Sequence, residues 1–157
     1  MFFSNLQKKN NISILNKKKN WITFVGKLNK AKGYDIFSKS IVKILNKYPS
    51  WKALIIGDEK REKISLKHKN ANILGFKKHN DVLKIFEKTS ITVACSRWDE
   101  PFGRTSLEAS ANGCAVIITN KGGLPETVTD AKILENLNEK NLTKSISNLI
   151  TNKKLRH

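Results

Sequence analysis

Residues 91–119 read ITVACSRWDEPFGRTSLEASANGCAVIIT, and this stretch decides the fold. Ile91 to Cys95 forms one continuous apolar run and Ala115 to Thr119 another, with a helix centred on Leu107 between them. Strands that are apolar at successive rather than alternate positions are buried on both faces, and when a helix joins them they lie parallel. The same alternation continues in both directions. Upstream, Trp21 to Val25 reads as a strand closed by Gly26, Ala53 to Ile56 as a second closed by Gly57, and Ile73 with Leu74 before Gly75 as a third. Phe37, Ile41, Ile44, Leu45 and Tyr48 recur at helical spacing, with Gly33 ahead of them and Pro49 behind; Val82, Leu83, Ile85 and Phe86 mark a shorter helix. Downstream, Leu142, Ile146, Leu149 and Ile150 predict an amphipathic helix. The pattern predicts a doubly wound α/β domain on a parallel sheet, without internal repeats.

With 157 residues and a hydrophobic fraction of 39%, the chain has the size of one domain able to bury its own core. Residues 1–20, rich in Asn, Lys and Gln, read as a linker or a remnant of an interdomain segment, which leaves 21–157 as the folded domain. Lys and Arg number 30 against 13 Asp and Glu, a net charge of +17 that would attract nucleic acid, anionic lipid or phosphorylated ligands but selects none of them. The lysines are spread along the chain among many Asn and Ile, and they read as a solvated surface rather than a built patch. Cys95 and Cys114 fit neither a C-x-x-C nor a His-paired spacing, so two small buried thiols are expected rather than a disulfide or a metal site. No apolar run reaches the roughly 18–20 residues that cross a bilayer, and the expected location is the cytoplasm or the inner face of the membrane.

In an open parallel sheet, ligands bind beyond the carboxyl ends of the strands, so the loops there carry the candidate chemistry. Residues 26–33, GKLNKAKG, join the first strand to its helix and offer Gly26, Lys27 and Lys32 beside amides at a helix start, which suits an anion. A solvated basic loop is the bland alternative. Residues 96–109, SRWDEPFGRTSLEA, place Pro101 near a helix start and Gly103 where a ligand would approach the backbone, with first-turn amides around Arg104, Thr105 and Ser106. Glu100 and Glu108 lie eight residues apart, which along a continuous helix is about 12 Å. That is too far for a shared proton, and suits two carboxylates holding hydroxyls at opposite ends of an extended ligand with a diphosphate between them. Alternatively, Glu100 complements a helix dipole and Glu108 is a surface glutamate. Residues 120–126, NKGGLPE, and the turn at Gly75 with Phe76 and Lys77 are weaker candidates, explicable as a tight turn and a core aromatic.

Five stretches in this order resemble the C-terminal, donor-binding domain of retaining GT-B glycosyltransferases, the large group called family 4 or glycosyl transferases group 1. They are FVGKL with Lys32-Gly33, IIGD at 55–58, ILGF at 73–76, EPFGRTSLEASANGCAVII at 100–118 and GGLPE at 122–126. The resemblance covers residues 21–130 and implies a Rossmann-like half of a GT-B fold. It implies that Lys27 and Lys32 neutralise the donor diphosphate, that Glu100 contacts the transferred sugar, and that Glu108 holds the ribose hydroxyls. Phe102, Gly103, Arg104 and Thr105 would then offer backbone donors, and Pro101, Gly26 and Phe76 would complete the donor site. The group needs no bound metal for the leaving diphosphate, and this chain carries no D-x-D motif; the nucleotide-diphosphate sugar is a substrate, not a cofactor. Two departures stand out. Lys27 occupies a place where the family usually has Arg, keeping the charge but losing the bidentate fork. After Asp130 no glycine-containing loop precedes the last helix.

The functional expectation is a sugar transferase donor half, retaining configuration and serving a cell-envelope polysaccharide or lipopolysaccharide acceptor. Its partners would be a nucleotide sugar and an acceptor-binding N-terminal domain or separate chain, with peripheral membrane association through the full-length enzyme. The isolated chain would bind its donor weakly and transfer sugar poorly. The alternative is a non-catalytic sugar-nucleotide-binding module or a subunit of a split enzyme. Specific nucleic-acid recognition is disfavoured because no helix-turn-helix, RNP or zinc spacing occurs, and a nicotinamide dehydrogenase because no strand is followed by G-x-G-x-x-G.

Overall fold

The computed structural model describes residues 17–98, 103–122 and 131–156. Six strands form one sheet: β1 (Lys19–Val25), β2 (Lys52–Ile56), β3 (Ala71–Gly75), β4 (Thr89–Ala94), β5 (Ala115–Thr119) and β6 (Lys132–Leu134). Their order is β3-β2-β1-β4-β5-β6, and every neighbouring pair is parallel. Chain order therefore reverses between β1 and β4, where Phe24 lies opposite Val93. At such a reversal the two following loops diverge to opposite sides of the sheet and leave a crevice between them.

Helices α1 (Tyr34–Lys47), α2 (His79–Lys88), α3 (Arg104–Ala111), α4 (Glu139–Thr151) and α5 (Lys153–Arg156) complete the described domain. Strand alternation sorts the core in two. Ile22, Phe24, Ile55, Ile91, Val93 and Ile117 meet Phe37, Ile41 and Ile44 of α1 and Leu142, Ile146 and Leu149 of α4 on one face. Ile56, Val116 and Ile118 point the other way, onto Val82 and Phe86 of α2 and Ala109 of α3. Phe24, Tyr34 and Phe37 form an aromatic cluster, with Phe24 5.0 Å from Phe37 and 5.3 Å from Tyr34 between ring centroids. Doubly wound construction on a parallel sheet is thus as the apolar pattern predicts.

Three details depart from that pattern. The first strand begins at Lys19, ahead of Trp21, and the preceding Lys18 reaches under the sheet to donate to the carbonyls of Phe86 and Asn112. Those carbonyls sit at the C-terminal ends of α2 and α3, where the negative end of the helix dipole attracts a cation. The crossover between β2 and β3, residues 57–70, contains no helix. It has only Ile64 and Leu66 to bury among Lys, Arg, Glu and Asn, too few for a helical stripe, and both pack on the α1 and α4 core. β6 and α5 carry short apolar signals that the periodicity did not single out. Both cysteines are buried and unpaired as disulfides, as expected from their spacing.

Candidate functional site

The crevice at the β1/β4 reversal is a cleft of about 260 Å³ lined by the strand ends Phe24 to Gly26 and Ala94 to Ser96, by Lys32, and by residues 103–106. Each wall has a local cause. Residues 26–33 fold back on themselves: Asn29 Oδ1 accepts from Lys32 N at 3.0 Å, Lys30 O accepts from Gly33 N at 2.9 Å, and Asn29 O accepts from Tyr34 N at 3.1 Å. This turn directs Lys32, half-buried, into the cleft, with its Nζ 5.6 Å from the Trp98 ring centroid. Gly33 closes it in the left-handed region at φ 73°, close enough to β4 that an added Cβ would stand 2.0 Å from the Cys95 carbonyl oxygen.

The opposite wall is the start of α3. Gly103 is its N-cap and has no side chain to offer the first amides; the first turn holds no acidic residue. The first intrahelical bond is Leu107 N to Gly103 O at 2.9 Å, so the amides of Arg104, Thr105 and Ser106 lie ahead of the helical ladder. Ser106 lines the cleft fully buried, and its hydroxyl has no hydrogen-bond partner among the described residues. Among the described residues the lining includes two cations, Lys32 and Arg104, and no carboxylate. A helix start, two cations and apolar walls from Phe24, Ala94 and Cys95 favour an anionic group there.

Side chains around the cleft hold its walls in place. Arg97 donates to both carboxylate oxygens of Asp35, at 2.6 and 2.8 Å, and also to Lys30 O, tying the β4 exit to the start of α1. Burial pushes the Asp35 carboxyl up, but the hydrogen bonds and charge of Arg97 outweigh it and leave Asp35 below its ordinary value. Arg97 N and Ser96 Oγ both donate to Ala31 O, and Thr119 Oγ1 donates to Ser96 O at 2.6 Å. Burial pushes the Cys95 thiol up to about 12, so it forms wall rather than nucleophile.

The structure therefore brings Gly26, Lys32, Gly103, Arg104 and Thr105 together, as the strand-end rule expects. Lys27 is exposed and outside the lining, on the side of the loop that faces Glu59. Phe76, 75% exposed beyond β3, is also outside it. Glu108, one turn into α3, is likewise outside the lining, its Oε1 3.4 Å from Arg104 Nε and 3.5 Å from His79 Nε2. Glu100, Pro101 and Phe102 lie outside the described residues, as do residues 123–126 of the GGLPE run. Because α3 starts at Arg104, Glu100 and Glu108 do not share one continuous helix, and their separation lies outside the described residues. The amides at the start of α1 are another correction: Asn29, Lys30 and Glu62 occupy those of residues 30, 32, 33 and 34, so that loop presents Lys32 and not a row of donors. The motif points to the Ser106 amide but not to its hydroxyl, nor to Ser96 or the Arg97–Asp35 pair, although the strand-end rule applied to β4 points at Ser96. Among the described residues no group of three or more His, Cys, Asp or Glu stands close enough to hold a metal ion, and no helix is long and apolar enough to cross a membrane.

Known proteins with this architecture place the cleft in context. Residues 6–157 match the family described as Glycosyl transferases group 1. The lipopolysaccharide core biosynthesis mannosyltransferase LpsB of Rhizobium meliloti (strain 1021) is 30% identical over 121 residues, covering 71% of this chain and 34% of that protein. The crystal structure of the C-terminal domain of a glycosyl transferase group 1 family protein, LpcC, from Francisella tularensis superimposes with a TM-score of 0.76 at 30% identity, over 87% of this chain and 77% of that one. Anabaena Alr3699/HepE in complex with UDP-glucose shares the fold at a TM-score of 0.74 and 19% identity, over 96% of this chain and 43% of that one. The chain spans about a third of the length of the curated relatives it matches, 33% and 34% for two of them. With a six-stranded parallel sheet matching a GT-B C-terminal domain and a family match across nearly its whole length, this chain belongs to the glycosyl transferases group 1 family.

Proposed function

We propose that this domain is the donor half of a retaining, family 4 type glycosyltransferase and binds the diphosphate of a nucleotide sugar in the β1/β4 cleft. The observation that carries the reading is the convergence of Lys32 and the start of α3 on one cavity without a carboxylate in its described lining. In this reading the amides of residues 104–106 and the Lys32 ammonium stabilise the charge that develops on the departing nucleotide diphosphate. Gly26 and Gly103 let the ligand approach the backbone. Thr105 and Arg104 flank the phosphates, Lys27 adds charge from the loop, and Phe76 offers an aromatic face to the base. Glu108, which Arg104 and His79 already orient, binds the ribose hydroxyls, while Glu100, with Pro101 and Phe102, meets the transferred sugar. The donor domain is assigned from β1 onward, two residues ahead of the boundary expected at Trp21, and the residues before it as a linker or remnant of an interdomain segment.

A cleft of about 260 Å³ is below the roughly 300–1,000 Å³ that encloses a drug-sized ligand, which is consistent with one wall of a two-domain site. The acceptor would then meet the sugar from an N-terminal domain or a separate chain, and the isolated 157-residue chain transfers poorly. The Rhizobium relative, a lipopolysaccharide core mannosyltransferase by name, supports a lipopolysaccharide or related envelope acceptor and a hexose donor.

A thermal-shift panel of UDP-glucose, GDP-mannose and related nucleotide sugars tests it, because a ligand selective for the folded state raises Tm with occupancy. One donor should stabilise the parent chain, with the shift reduced by Lys32→Ala and Glu108→Ala. No shift with any nucleotide sugar rejects the donor reading, and an undiminished shift in both variants rejects the residue assignment.

A further inference from the structure

The large positive charge is not spread evenly over the folded domain. Within α2 and α3, Lys84, Lys88 and Arg104 are matched by Asp81, Glu87 and Glu108, so those two helices sum to zero, with the exposed Lys77 and Lys78 just ahead of α2. Helices α1, α4 and α5 carry eight Lys and Arg against Asp35 and Glu139, a sum of +6. Both of these acids are engaged: Asp35 with Arg97, and Glu139 with Lys43 at 2.7 Å.

On α1, Lys39, Lys43 and Lys47 follow one another at four-residue steps along one exposed stripe, and on α4 Lys140 and Lys144 repeat the step. Four of these five border a groove of about 760 Å³ between the two helices. α5 continues the basic surface with Lys153 and Lys154, and there Leu155 is 61% exposed beside Arg156.

We infer that the α1, α4 and α5 face docks on an anionic lipid bilayer. Lysine ammoniums on long flexible stems act as independent point charges, which suits a fluid sheet of headgroups better than a fixed phosphate geometry. An exposed leucine within a basic segment gains by burial at the acyl boundary and gains nothing on a polyanion in water. The face also lacks an exposed aromatic on its three helices on which a nucleobase would stack. Docking on this side leaves the β1/β4 cleft open, because the cleft lies at the strand ends and is not lined by α4 or α5.

Flotation of the full 157-residue chain with phosphatidylcholine vesicles, with and without phosphatidylglycerol, tests the inference. The parent should float only with the anionic vesicles. Lys140→Glu with Lys144→Glu should lower its partition by about tenfold or more, whereas Lys84→Glu with Lys88→Glu, an equal charge change on α2, should lower it by less than about threefold. Melting temperatures establish that both doubles are folded. Equal losses in the two doubles, no binding to anionic vesicles, or complete displacement from vesicles by poly(U) RNA would overturn the docking face. The readout uses no nucleotide sugar, so its failure leaves the donor reading standing, and a failed donor panel leaves the docking face standing.

Discussion

Gly33→Ala is the substitution for which the structure sets the clearest magnitude. Two costs add. The backbone at φ 73°, ψ 15° is left-handed, which costs a residue with a Cβ about 1 kcal/mol. The new methyl would also stand 2.0 Å from the Cys95 carbonyl oxygen and 2.9 Å from its Sγ, so the start of α1 must withdraw from β4 by about 1 Å, an overpacking cost of roughly 1–3 kcal/mol. The sum is about 3 kcal/mol, or a fall in Tm of roughly 10 °C for a domain of this size. Gly26→Ala is the matched control: at φ 150° it bears backbone strain, but among the described residues beyond its chain neighbours no atom lies within 4 Å of its added Cβ. Its loss should be about half as large. Urea melts with an unchanged m value would show that the native state, and not the compactness of the unfolded chain, has changed. Because Gly33 follows Lys32, its variant should also bind UDP-glucose more weakly at temperatures where it is fully folded. A Gly33→Ala protein melting within about 2 °C of the parent would refute the close approach of α1 to β4.

Lys32→Ala should lower affinity for UDP-glucose by about tenfold, the loss of one charge-assisted contact, while Lys27→Ala should cost less than about threefold; isothermal titration separates them. For the Arg97–Asp35 pair, a double-mutant cycle in urea melts should give a coupling of about 0.5–1 kcal/mol, since both groups are partly exposed. Asp35 is held below its unfolded value, so that coupling is fully present above about pH 4 and should fade as pH falls through the lower, folded value. Ser106→Ala should change stability by less than about 0.5 kcal/mol, because its buried hydroxyl has no bond to lose, yet should weaken UDP-glucose binding several-fold. Burial pushes the Cys95 thiol to about 12 and raises Cys114, so Ellman's reagent at pH 8 should react with neither until the chain unfolds.

Much of the fold was legible because it rests on local patterns. Helix α1 was signalled by five apolar residues at helical spacing between a glycine and a proline, and β5 by an unbroken apolar run, and both were found where the pattern put them. β6 was not legible: three residues at a sheet edge, two of them exposed, bury too little to leave a periodic trace. The β2–β3 crossover broke the expected strand–helix alternation for the same reason, with two apolar residues in fourteen positions.

The site was legible in its parts and not in its assembly. The strand-end rule and the EPFGRTSLEA stretch named Gly26, Lys32 and residues 103–105, which do converge. What they could not separate was Lys27 from Lys32, two lysines five residues apart in one basic loop. Their difference is made by Asn29, whose side chain and carbonyl close a turn that sends Lys32 inward, while residues 58–62 hold the first half of the loop outward through Asp58 O to Leu28 N and Glu59 to Asn29. That second anchor comes from about thirty residues away, and the Arg97–Asp35 bridge spans 62. The charge layout follows the same logic. Counted along the chain the lysines look uniform, and only the winding of α1 and α4 onto one face and α2 and α3 onto the other turns that even spacing into a strongly basic pair of helices and a balanced pair.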